Sequence, residues 1–216
     1  MKEDILEQLV DDYLQLRGYF TRHNVKFRPR GDTADFIKNQ DSNHSDIDVL
    51  GFNPHLTGPE RIWVVSCKSW QAGFQVVSKI AELEENKIRS GREAWKGFRE
   101  LMIPKWTDAF FATVEKETGS TTFTYVTAVT AVHGAPALWE NHPRLREALR
   151  GNPIKLLSLV EILAEVMVGL STTVAPSSLG RTLQLLKASG YLRRLEEMMS
   201  NHTLERDAHS VRAPQR

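Results

Sequence analysis

Asp46-Ile47-Asp48-Val49-Leu50-Gly51, answered after a polar connection by Ile62-Trp63-Val64-Val65-Ser66-Cys67-Lys68, is the stretch on which the fold turns. Both runs are rich in β-branched and aromatic residues, and Asn53, Pro54, Gly58 and Pro59 between them are residue types that reverse a chain. They predict two paired strands with a long connection. Alternate residues of a strand share a face. Asp46, Asp48 and Leu50 are therefore expected on one side with Ile47 and Val49 on the other, and Ser66 and Lys68 opposite Cys67. Pairing brings a carboxylate and an ammonium together at the end of a sheet. Charge buried among Val, Ile and Trp is costly unless it is paired or bound to a metal. The bland alternative is an edge strand whose aspartates face water.

Working outward, Ile5, Leu6, Leu9, Val10, Tyr13, Leu14 and Leu16 recur in steps dominated by three and four. That spacing predicts an amphipathic helix over 3–17, ended at Gly18. Asn24–Arg30 reads as a short strand with basic outer residues Lys26, Arg28 and Arg30, and 31–45 as a polar loop. Beyond the hairpin, Val76 to about Lys116 has helical periodicity with breaks at Gly91, Gly97 and Pro104. Residues 121–132 alternate β-branched and aromatic positions and form the strongest strand signal. His142–Arg150, Lys155–Leu170 and a segment starting at Ser177 or Ser178 and ending near Gly190 read as helices. The fold class is α/β: a mixed sheet of about four strands flanked by helices, with further C-terminal helices. Residues 1–135 form the α/β core, 136–202 a helical part packed on it, and 203–216 a polar, frayed tail.

Composition narrows the classes. The 216 residues are 41% apolar and 25% charged, which suits a globular chain. One cysteine excludes an intramolecular disulfide framework and a multi-cysteine metal cluster. No run reaches the ~18 clean apolar residues of a membrane span, and Met-Lys-Glu-Asp lacks the apolar core of a secretory signal. A cytoplasmic chain without a membrane partner is expected. With 28 basic and 27 acidic residues, net charge is +1, so no global basic excess advertises nucleic acid. Local charge has two candidates. Arg89, Arg92, Lys96 and Arg99 would form one stripe on a continuous helix; Lys26, Arg28 and Arg30 form the second group. Such residues contact phosphate without reading sequence. Their alternative is a solvated face balanced by Glu93 and Glu100. The histidines show no metal-ligand spacing. Cys67, embedded in a strand, has no helix N-terminus to activate it and reads as a packed residue.

Two acids and a lysine at a hairpin edge suit phosphodiester hydrolysis. A carboxylate-held divalent cation neutralises the scissile phosphate and acidifies water, and a neighbouring lysine stabilises developing charge. The succession of Asp48, a hairpin, and a hydrophobic strand ending in Ser66-Cys67-Lys68 resembles the PD-(D/E)XK nuclease superfamily. The leading helix with Glu7-Gln8-Leu9-Val10, followed by Gly18-Tyr19-Phe20, is similar to the opening of its Mrr-like and Holliday-junction-resolvase-like members. The resemblance spans about residues 3–132. Two positions depart from its pattern: Ile47 precedes Asp48, and Ser66 stands where the half-motif carries an acid. In some members with Ser-X-Lys the carboxylate has moved onto the next helix, and Glu82 matches that placement, with Glu84 and Glu85 as nearby substitutes.

The resemblance implies a restriction-endonuclease-like core. Asp48 and Glu82 are then metal ligands with the Cys67 backbone carbonyl, Lys68 is the catalytic lysine, and Glu7 is a second-metal or water-positioning acid. The cofactor is Mg²⁺ or Mn²⁺, with no small-molecule cofactor, and the partner is DNA. The implied activity is a metal-dependent endonuclease acting in restriction, defence or repair. Cutting both strands of a duplex favours a homodimer. The rival is a catalytically degenerate relative that binds nucleic acid or a protein, and Ser66 is the feature that speaks for it.

Overall fold

The computed structural model describes residues 4–89, 92–170, 177–191 and 194. The chain opens with α1 (Ile5–Leu16), β1 (Phe20–Phe27), the one-turn α2 (Lys38–Asp41), β2 (Ser45–Phe52) and, after a 3₁₀ turn, β3 (Ile62–Lys68). Then come β4 (Phe74–Gln75), α3 (Val76–Glu84), β5 (Ile88–Arg89), β6 (Arg92–Glu93), a second 3₁₀ turn, α4 (Arg99–Met102) and α5 (Pro104–Thr118). The remainder is β7 (Thr124–Val129), β8 (Val132–His133), α6 (Pro136–Glu140), α7 (Pro143–Ala148), β9 (Ile154–Ser158), α8 (Leu159–Gly169) and α9 (Ser178–Ala188).

The main sheet is mixed and five-stranded, in the order β1-β2-β3-β7-β9. β1, β2 and β3 run antiparallel; β3, β7 and β9 run parallel. Each face carries its own apolar cluster, as parallel strands need cover on both sides. On one face Val49, Trp63, Val65, Val126 and Ala128 meet Leu6, Leu9, Val10, Tyr13 and Leu14 of α1 and Ile162 and Val166 of α8. The α1 residues fall at i, i+3, i+4, i+7 and i+8, which puts them on one helix face. The other face packs Leu50, Val64, Tyr125, Ile154 and Leu156 against Phe98, Leu101, Trp106, Phe110, Trp139 and Leu145.

Several expectations need correction. The sheet has a fifth strand because residues 154–158, expected to be mostly helical, are extended and pair in parallel with β7. Ile154 and Leu156 bury on one face while Leu157 packs on the other, the two-residue period of a strand. The helix starts only after Ser158, which forms a capping box with Glu161.

The stretch from Val76 to Lys116 is not near-continuous helix. Asn86, at φ +48, follows the end of α3, and Arg89 and Arg92 are cross-strand partners in a small hairpin. Arg89, Arg92, Lys96 and Arg99 therefore do not form a helical stripe. β1 ends at Phe27, so Arg28 and Arg30 lie in the loop beyond it rather than on the strand. Finally, face alternation lapses at Asp48. Ile47 joins the cluster that holds Leu50, while Val49 lies in the opposite one. The β1–β2 pairs skip this position, where Asn24 takes φ +53. The stretch 203–216, read as a tail, lies outside the described residues.

Among the described residues, no helix is long and apolar enough to cross a membrane.

Candidate functional site

The site forms where the β2–β3 ladder ends. Its last pair is Val49↔Val65. Beyond that pair the Asp48 side chain takes the place of a ladder partner, and its Oδ2 accepts the Cys67 amide at 2.6 Å. Asp48 is pushed up to about 6 from an ordinary 3.8. Burial is the main cause, opposed by the Lys68 ammonium and the Cys67 amide, with Asp46 and Glu100 adding repulsion. Lys68, the last residue of β3, is half-buried, with Nζ 5.4 Å from the centre of the Phe98 ring. The Lys68 ammonium thus acts on the Asp48 carboxylate through its charge.

Glu7 arrives from the other face. Asp4 caps α1 by accepting the Leu6 amide at 2.8 Å, and both its oxygens accept from the Ser69 hydroxyl, at 2.6 and 2.7 Å. The start of α1 is thereby tied to the residue after Lys68, and the first helical turn carries Glu7 to the end of the ladder. Glu7 is pushed up to about 7 by burial and then by the charges of Asp48, Asp4 and Asp46, with His23 opposing. Glu7 thus lies within electrostatic reach of Asp48, although 41 positions separate them in the chain. Burial, and then the charges of Asp48 and Glu7, push the Cys67 thiol well above its ordinary value, so it stays protonated and is no nucleophile.

Helix phase separates the three acids of α3 and its end. Glu82 is buried and pairs with Lys79 at 2.6 Å, whose ammonium sits 4.5 Å from the Trp70 ring centre. Glu84 is exposed and meets His142 at 3.2 Å, and Glu85 pairs with Lys87 at 2.8 Å. The charge of Glu100, in the first turn of α4, also bears on Asp48. Glu100 is buried, and its Oε1 accepts the Tyr125 hydroxyl at 2.5 Å. In the sequence Glu100 enters only as a balancing charge in the solvated-face alternative to the basic stripe. Its burial comes from the break at Gly97, which sets Phe98, Leu101 and Met102 into the core around it.

The basic residues scatter. Lys26 is exposed and in register with Asp46. Arg28 is exposed, and Arg30 holds Asp32 at 2.6 Å. Lys96 pairs with Glu93 at 3.1 Å, and Arg99 lies 4.5 Å over the Trp106 ring while donating to the Asn43 carbonyl at 3.4 Å. The loop that carries Arg28 and Arg30 is stapled down through Asp41. This fully buried carboxylate accepts from Lys105 at 2.7 Å, the Ile37 amide at 2.7 Å and the Trp106 indole at 3.0 Å. Burial alone would raise Asp41; Lys105, Ile37 and Trp106 outweigh it and hold the carboxyl below its ordinary value.

Among the described residues, no three His, Cys, Asp or Glu side chains form a ready-made metal cage. The residues present still fit a hard divalent cation of the Mg²⁺ kind. That ion is content with one or two protein carboxylates and completes its shell with water and phosphate. Asp48 and Glu7 are partly buried carboxylates whose values are raised first by burial, with neighbouring acids adding to it. A cation there would compensate both. Scans of family models, of curated proteins and of solved structures find no match to this chain.

Proposed function

We propose that the chain is a metal-dependent endonuclease of restriction-endonuclease-like architecture that hydrolyses DNA phosphodiester bonds. The observation that carries the reading is that Lys68 of β3 and Glu7 of α1 both lie within electrostatic reach of Asp48 of β2 where the ladder ends, with the acids pushed up to about 6 and 7. The mixed sheet with its antiparallel β1-β2-β3 edge suits the PD-(D/E)XK arrangement that the sequence resembles.

Asp48 and Glu7 would hold Mg²⁺ or Mn²⁺, with the Cys67 carbonyl as a further oxygen. When bound, the cation supplies neutralisation of the phosphate charge and a lowered pKa for water. Lys68 orients the attacking water and places positive charge beside the phosphoryl oxygens as their charge grows. The Cys67 amide fixes Asp48 in one rotamer, so the carboxylate is presented without reorganisation. Exposed Lys26 and Arg28 would contact DNA phosphates next to the site without reading sequence.

The test is cleavage of supercoiled plasmid by purified protein. Nicking or cutting with Mg²⁺ or Mn²⁺, lost with chelator and lost in Asp48→Ala and Lys68→Ala, is the expected outcome. Cleavage that survives both substitutions refutes the assignment. Ser66 favours a second reading, a nuclease-fold protein that binds nucleic acid or a protein partner without hydrolysis. Retained DNA binding with no cleavage and no Mn²⁺ uptake would establish it.

A further inference from the structure

We infer that the connection between β1 and β2 is a base-reading arm for duplex DNA, whose Lys38, Asn39 and Gln40, in α2, enter the major groove beside the cut. The inference rests on the hydrolytic reading and names what the site would select in its substrate, namely base sequence to one side of the scissile bond.

The arm leaves the sheet at the end that holds the site. Phe27 is in register with Ser45, and Asp48 follows on the same strand. From His44 to Asp48 the extended chain covers roughly 13 Å at ~3.3 Å per residue. That is about four base pairs of a duplex at 3.4 Å each.

Residues 28–44 exceed the ~12–15 beyond which a connection is usually a binding loop, a lid or a linker. The way it is held excludes a linker. Asp41 is fully buried against Lys105 and Trp106 of α5. Lys105 also donates to the Asp35 carbonyl at 2.7 Å, before α2, and Arg99 donates to the Asn43 carbonyl at 3.4 Å, after it. α4 and α5 thus grip the arm on both sides of its helical turn. A buried ion pair is a costly anchor for a loop that only spans a gap. It suits a recognition turn, because side chains on a fixed backbone lose less freedom on binding.

What the grip presents is chemically specific. Asp41 is enclosed, while the three residues before it are all exposed. Among the described residues, the Lys38 ammonium and the Asn39 and Gln40 amides have no side-chain partner. In the major groove such amides pair with adenine N6 and N7, and lysine pairs with guanine O6 and N7. Exposed Ile37 beside them offers an apolar contact to a thymine methyl. Of the arm's acids, Asp32 is held by Arg30 and Asp41 by Lys105, so Asp35 alone is set against the exposed cations Arg28 and Lys38.

The experiment is cleavage of a linear duplex library of random sequence by the full chain with Mn²⁺, followed by sequencing of the cut ends. Enrichment of adenine and guanine at fixed positions on one side of the cut is expected. Asn39→Ala with Gln40→Ala should erase the adenine preference, and Lys38→Ala the guanine preference. Each should slow cutting of the enriched sequence by about tenfold, as loss of a paired base contact implies. The three side chains are exposed, so the melting transition should stay at its wild-type position. Wild-type ends without base preference, or a preference that survives all three substitutions, overturn the reading arm while the hydrolytic reading stands. A wild-type chain that cuts no DNA overturns both.

Discussion

At the scale of the residue, Asp48 is the costly element of the structure. Its pKa of about 6 means that above that pH a buried negative charge is held against its preference. Asp48→Asn keeps an oxygen for the Cys67 amide and removes the charge. In metal-free buffer near pH 8 the variant should therefore be more stable than wild type by about 2–3 kcal/mol, at roughly 1.4 kcal/mol per pKa unit. The measurement is a melt in chelator alongside the cleavage assay. A higher melting temperature with cleavage abolished is expected, whereas a lower one means that Asp48 is structural. Asp48 and Lys68 were legible as charges on two apolar strands, and Glu7 through the resemblance of the leading helix, whereas the lapse of face alternation at Asp48 was not. Nor was Glu100. Its burial depends on how the chain breaks at Gly97, and a glutamate in a charged stretch carries no sign that it will be enclosed.

Elements were legible where pattern and local chemistry agreed. α1 ends before Gly18, which takes φ +82, and Ser177 caps α9 by accepting the Gly180 amide at 2.8 Å, both as the sequence suggests. β9 was missed because Ile154-Lys155-Leu156-Leu157-Ser158 runs without a break into the apolar helix behind it. The Ser158 and Glu161 spacing was the available signal for where strand gives way to helix. The loop between β1 and β2 looked featureless because its structure comes from distant α5, through Lys105 and Trp106 on Asp41. Asp41→Ala removes that staple and leaves the largely buried Lys105 without its counter-charge. Breaking such a pair costs about 3 kcal/mol, which at 2–4 °C per kcal/mol for a chain of this size lowers the melting temperature by roughly 10 °C. Calorimetric melting checks it, and an unchanged transition would show that the loop does not depend on α5.

At the scale of the whole molecule, Asp48 and Glu7 couple stability to pH in one direction. Both values are raised on folding, from 3.8 to about 6 and from 4.5 to about 7. Their contribution is fully present below the unfolded values and is lost as pH rises through the folded ones. Metal-free protein should thus lose stability between about pH 4 and pH 7, and Mn²⁺ should restore it at the alkaline end by binding the folded state alone. Denaturant titrations across that range, with and without Mn²⁺, measure the effect; a metal-free stability that rises steadily from pH 5 to 8 would contradict it. The same two groups belong to different layers, Asp48 to β2 of the sheet and Glu7 to α1, which packs on one of its faces. The most direct measurement is anomalous scattering from crystals grown with Mn²⁺ near pH 8. A manganese peak on the Asp48 carboxylate, with Glu7 as a second contact and Lys68 beside it, is the predicted result. Density at Asp48 without manganese, at a concentration that supports cleavage, would contradict the account.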